Sequence, residues 1–242
     1  MPYIKEIIID KPTEGAGRFP FNIGIFQNGF SLSLDKEVTV IAGENGSGKS
    51  TLLESLAAAT NFPRQGGVRG QNMLRQSFGM NNMGEQIEIN YDNLELSQSM
   101  KIRWGARTDR GYFFRSEYMS ETMQGHLNAR YLLTQSHGEG ILELVRDWRD
   151  GLFILDEPES ALSPTSLLAL AALIYEKAKT FNAQYIIVTH SPILMAIPQS
   201  EFHWIGHEKM ERMDYKNSPH FSISKAFFDN PHRMINRVIE SN

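Results

Sequence analysis

The tightest constraint on this chain is a single short segment. Gly43-Glu44-Asn45-Gly46-Ser47-Gly48-Lys49-Ser50-Thr51 contains the pattern Gly-x-x-x-x-Gly-Lys-Ser, preceded by the apolar run Val38-Thr39-Val40-Ile41-Ala42 and followed by Leu52-Leu53-Glu54-Ser55-Leu56-Ala57-Ala58-Ala59. The order is strand, glycine loop, helix. Three glycines let the backbone wrap a phosphate so that successive N–H groups point inward, and the helix N-terminus behind them adds partial positive charge. In such a loop Lys49 reaches the terminal phosphates and Ser50 offers a hydroxyl to magnesium. The nucleotide-binding residues expected here are Asn45, Gly46, Ser47, Gly48, Lys49, Ser50 and Thr51.

The rest of the chain narrows what can surround that loop. With 242 residues, 41% of them apolar, it can bury a substantial core in one large α/β domain. It has no cysteine, which excludes disulfides, thiolate metal sites and a cysteine nucleophile, and agrees with a reducing cytoplasm. A net charge of −4 argues against a globally basic nucleic-acid binder while leaving room for a local patch. No apolar run approaches the length needed to span a bilayer, so any membrane role is expected to come through a partner.

Periodicity places the elements. Tyr3 to Ile9 and Val38 to Ala42 read as strands separated by Pro, Gly and Phe-rich turns, and residues 61–86 read as a long Gly, Asn, Gln, Arg and Met loop. Ile87 to Tyr91 and Met100 to Trp104 alternate apolar and polar residues, as half-buried antiparallel strands do, with Gly111 to Arg115 as a candidate third. Ile141, Leu142, Leu144, Val145 and Trp148 recur at helical spacing from near Glu139. Leu152 to Leu155 and Tyr185 to Thr189 are continuous apolar runs, expected of strands buried on both faces of a parallel sheet. Between them Ser163-Pro164 opens a helix, Ser as N-cap and Pro at the first helical position. Strands alternating with helices predict a parallel sheet that binds its ligand at the strands' C-terminal ends.

The run Leu152 to Leu155 ends in Asp156 and Glu157. Alone, two acids after an apolar run read equally well as a surface turn. Beside a phosphate loop, Asp156 is expected to hold the magnesium shell and Glu157 to orient and deprotonate the attacking water.

With these motifs the chain resembles the ATP-binding cassette superfamily. Glu157-Pro158 continues the acidic motif as that family does, and Glu159-Ser160-Ala161-Leu162-Ser163 looks like its dimer-contact loop. Val188-Thr189-His190 looks like its switch histidine, which contacts the γ-phosphate. Ser136-His137-Gly138-Glu139 looks like a variant of the signature Ser-Gly-Gly-Gln, with His137 in place of a glycine. Ser163 stands where the dimer loop usually has an aspartate.

The resemblance implies ATP and Mg2+ as ligands, with Lys49, Glu157 and His190 catalytic, and Ser50 and Asp156 on the metal. Ser136 and Gly138 would bind the γ-phosphate held by the opposite subunit. The implied fold class is α/β: a P-loop NTPase of the ATP-binding cassette type, with a parallel core sheet, an antiparallel β subdomain and a helical signature segment. It is expected as one domain over residues 1–242, with an inserted lobe over about 61–135. The chain is most similar to the small stand-alone ATPases with Ser-His-Gly-Glu signatures, related to the chromosome-maintenance and double-strand-break-repair branch but without its coiled-coil arms. Glu117 is the candidate for the family's glutamine-loop residue, and Phe19 and Phe21 are candidates for the aromatic that stacks on adenine, with a core role as the alternative.

The expected activity is Mg-dependent ATP hydrolysis that closes and reopens a head-to-tail homodimer, acting on an unidentified partner protein or on nucleic acid. Two rivals stand beside it: a slowly hydrolysing ATP-gated scaffold, and the motor subunit of a membrane transporter, against which the strand-rich insert argues. Arg64, Arg69 and Arg75 read either as a phosphate-backbone contact or as a solvated loop. His203 and His207 have metal-ligand spacing only on a helix, whereas Phe202-His203-Trp204-Ile205 reads as a strand.

Overall fold

The computed structural model describes residues 1–12, 17–63, 65–70, 94–118 and 137–240. Its centre is set by three runs that are buried along their whole length: β3 (Val38–Gly43), β7 (Gly151–Asp156) and β8 (Ala183–Val188). They lie parallel in the order β3, β8, β7, with Ile41 and Asp156 both opposite Val188. That register brings their C-terminal ends level on one edge of the sheet. The segments leaving that edge are the glycine loop, Glu157 and Thr189-His190.

Among the described residues further strands widen the sheet to seven, in the order β10-β9-β3-β8-β7-β6-β4. β9 (Glu201–Ile205) pairs parallel with β3, and β6 (Gly111–Arg115) parallel with β7. The outer strands β10 (Met210–Arg212) and β4 (Gly67–Val68) pair antiparallel. Gly111 to Arg115 therefore does not join the alternating strand before it. Its Tyr112, Phe113 and Phe114 are buried, as a strand covered on both faces requires. Met100–Trp104 (β5) keeps the expected half-buried pattern, pairing antiparallel with β1 (Ile4–Ile9), which also pairs with β2 (Phe30–Ser33). Buried Gln184 docks this small sheet on the main one: its amide donates to the Ile4 carbonyl at 2.9 Å and accepts from the Ile4 N–H at 2.8 Å.

Successive residues of the central strands point to opposite faces, building two cores. Val40, Ala42, Phe153, Leu155, Tyr185 and Ile187 face the helices α4 (His137–Asp147), α5 (Pro164–Thr180) and α6 (Pro192–Met195). Ile41, Leu152, Ile154, Ile186 and Val188 face α1 (Gly24–Gln27), α2 (Lys49–Ala59), α3 (Leu94–Ser99) and the small sheet. Phe153 stacks between Trp148 at 4.4 Å and Tyr185 at 5.1 Å. Truncating such a ring to alanine costs about 3–5 kcal/mol. The expected cap of α5 is present: Ser163 Oγ accepts from the Ser166 N–H at 3.2 Å, ahead of Pro164. The chain closes on α7 (Pro219–Asp229) and α8 (Pro231–Glu240). Among the described residues no helix is long and apolar enough to cross a membrane. The strand expected over Ile87 to Tyr91 lies outside the described residues.

Candidate nucleotide site

The loop between β3 and α2 has the shape its glycines predicted. Gly46 and Gly48 adopt φ of 76° and 95°, a region that side chains rarely enter. A Cβ on Gly48 would also meet Ile23 Cγ2 at 2.8 Å. The Lys49 ammonium donates to the loop's own carbonyls, Gly43 O at 2.9 Å and Glu44 O at 2.7 Å. Burial lowers its pKa, while the charges of Glu157, Asp156, Glu159 and Glu44 oppose that shift. Ser47 Oγ is buried without a hydrogen-bond partner. A hydroxyl left in that state fits a loop that wraps a phosphate oxygen. Asn45 is exposed on the loop, and Thr51 is half-buried on the first turn of α2.

The acids arrive from β7. Asp156 Oδ1 lies 3.5 Å from Ser50 Oγ, so the two expected metal ligands face each other across the mouth of the loop. Burial drives the Asp156 carboxyl from its ordinary 3.8 up to about 7, against the opposing charge of Arg115. A carboxylate beside a hydroxyl is a pair of oxygen donors that suits a hard cation. Among the described residues no group of three His, Cys, Asp or Glu is placed to cage a metal unaided.

The turn after Asp156 is conformationally unusual. Glu157 takes φ 47° and ψ 54°, left-handed for a residue with a side chain. Its N–H still donates to Val188 O at 3.0 Å, extending the ladder by one residue. Its Oε1 lies 3.1 Å from His190 Nε2 at the end of β8. The His190 N–H donates to Glu159 Oε1. Strain of this kind persists where the surroundings over-determine it. Here it aims the expected base at the expected switch histidine.

Lys49, Ser50, Asp156, Glu157 and His190 thus converge at one edge of the sheet. Gly138 lies in the first turn of α4, and Ser136 lies outside the described residues. Ser163 is accounted for as the cap of α5. Glu117 follows β6, mostly exposed, with Oε2 at 3.2 Å from the Arg115 guanidinium. Phe21 is in the core beside α1, whereas Phe19 is about half exposed. Neither the backbone-contact nor the solvated-loop reading describes Arg69. Its Nε donates to Thr60 O at 2.7 Å, it also bonds Thr108 O, and its guanidinium lies over Trp104 at 5.5 Å. Arg64 and Arg75 lie outside the described residues. His203 sits on β9, as expected of a strand, 3.5 Å from Glu201.

Two residues at this edge escaped the sequence reading. Arg115, the last residue of β6, is buried and reaches Glu54 on α2 at 2.9 Å and Asp156 at 3.8 Å. A lone cation closing a run of aromatics was the available signal. The ring of His220, on α7, lies tilted against that of His190. Nothing in its own segment marks it.

A family model described as an AAA domain matches residues 21–141, half of the chain. Among solved structures, an SMC head domain from Thermotoga maritima is 14% identical and has a TM-score of 0.48, over 88% of this chain and 99% of that one. An SMC head bound to the C-terminal winged-helix domain of ScpA is 11% identical with a TM-score of 0.48, over 88% and 97%. The ADP conformation of an ATP-binding cassette of an ABC transporter is 15% identical with a TM-score of 0.46, over 90% and 94%.

Proposed function

Because this chain belongs to the AAA domain family, we propose that it binds ATP with Mg2+ and hydrolyses it, using the cycle to close and reopen a head-to-tail homodimer. The observation that carries the reading is the convergence of Lys49, Ser50, Asp156, Glu157 and His190 at the level ends of three parallel strands.

The roles follow from position. Lys49 exchanges the Gly43 and Glu44 carbonyls for phosphate oxygens, which pair better with an ammonium. Ser50 and Asp156 would hold Mg2+, which supplies charge neutralisation between the phosphates. Glu157 takes a proton from water, and His190, within reach of Glu157, faces the terminal phosphate. Ser136 and Gly138 of a second copy complete the site. Shifting a subunit pair from 1:99 to 99:1 closed requires about 5.5 kcal/mol of differential binding, or about 2.7 kcal/mol for each of two nucleotides. A γ-phosphate gripped in trans supplies energy of that order. The closed pair then engages a partner protein, with nucleic acid as the second candidate.

The test is Glu157→Gln. The amide keeps the shape of the carboxylate and cannot accept the proton. Phosphate release should fall by at least about a hundredfold with ATP binding retained, and light scattering should find a dimer with ATP and Mg2+ that is absent with ADP. Normal turnover would remove Glu157 as the base. An ATP-bound monomer would remove the homodimer.

A further inference from the structure

His190 is held from three sides. Its N–H donates to Glu159, its Nε2 lies 3.1 Å from Glu157, and one face of its ring is covered by the imidazole of His220, with centroids 5.1 Å apart and planes 35° from parallel. The third contact comes from the second residue of α7, a helix capped by Ser218, whose Oγ accepts from the Phe221 N–H at 3.3 Å.

His220 is fixed in turn. The Trp204 ring meets it edge-on, at 4.9 Å and 89°. Trp204 lies on β9 directly opposite Ala42, the residue before the phosphate loop opens. Two rings, Trp204 and His220, therefore connect β9 to His190, and through it to Glu157. Burial, then the charges of His190 and Lys49, lower the pKa of His220, which favours its neutral form. Its Nδ1 is buried without a hydrogen-bond partner. An orphaned nitrogen is tolerated where ring packing dictates the side chain's orientation.

We propose that His220 is a positioning residue for ATP hydrolysis, holding the His190 ring at the angle that meets Glu157 and the terminal phosphate. The inference rests on the hydrolysis reading above. It makes helix α7 part of the catalytic machinery, although no side chain of α7 belongs to the expected motifs.

Phosphate release by the full chain distinguishes the outcomes, measured for wild type, His220→Ala and His220→Phe beside ATP affinity and the melting temperature. His220→Ala should lower kcat about tenfold, with KM for ATP within about twofold and the melting temperature nearly unchanged. His220→Phe should recover most of the loss, because a flat ring restores the contact without either nitrogen. Wild-type kcat in His220→Ala would overturn the proposal. So would a loss that merely tracks a fall in melting temperature, or a phenylalanine variant no better than alanine. A wild-type chain that binds ATP and releases no phosphate would overturn the hydrolysis reading and this proposal with it, an outcome visible in the wild-type control alone.

Discussion

The ends of β3, β7 and β8 and the small β2-β1-β5 sheet both carry acids and bases, and the two regions use them in opposite ways. On the small sheet the charges lie at the surface: Arg103 pairs with Glu6 at 2.9 Å and Lys101 pairs with Asp10, and three of these four side chains are more than half exposed. Water solvates them with or without a partner. At the strand ends Lys49, Arg115 and Asp156 are buried, Ser47 Oγ is unpartnered, and Glu157 is left-handed. Charges and backbone strain held in that state cost stability. The contrast separates charges that water solvates from charges that are buried in a strained frame.

The largest effect that sharpens the comparison belongs to Lys49→Ala. It removes the buried ammonium that would exchange two backbone carbonyls for phosphate, so ATP affinity should fall by about a hundredfold, near 2.7 kcal/mol. Titration with a fluorescent ATP analogue measures this, and unchanged affinity would break the phosphate role.

Asp156→Asn comes next, with a pH signature. The folded-state pKa of Asp156 is raised from 3.8 to about 7, so the folded protein holds this proton more tightly than the unfolded chain. The stability cost therefore grows as pH rises from about 4 to about 7 and is complete above that. Without nucleotide or metal, the Asp156→Asn variant should be more stable than the wild type by about 1–3 kcal/mol at pH 8 and nearly equal to it at pH 4. Denaturant melts at both values check the sign, and a variant less stable at pH 8 would refute the buried-charge account.

The smallest effect is on the other side of the comparison. Arg103→Ala breaks an exposed pair and should change stability by less than about 0.5 kcal/mol, and less still in high salt. A loss above about 1.5 kcal/mol would mean that the small sheet depends on its charges after all.

Legibility in the sequence follows the same division. The glycine loop, the run ending in Asp156-Glu157 and the Ser163-Pro164 cap were readable because each is a local device: a positive-φ turn, a doubly buried strand and a side chain capping its own helix. Arg115 and His220 were not. Arg115 matters because β6 lies parallel to β7 with Arg115 opposite Asp156, and the local sequence around Gly111 to Arg115 equally allowed an antiparallel partner. Arg69 read as a free cation because Thr60, Trp104 and Thr108, which hold it, are remote or unmarked in its own segment.

By itself, then, the sequence determined that a glycine loop joins a buried strand to a helix, and that two acids and a histidine end two further buried strands. Backbone conformation and hydrophobic period are properties of a few consecutive residues, so they are written locally. Tertiary structure alone decided that those ends stand level, that Glu157 meets His190, that Arg115 opposes Asp156, and that His220 of α7 packs against His190. Those contacts depend on strand register and order, which are settled by burying both faces of the sheet at once, and no single segment carries that information.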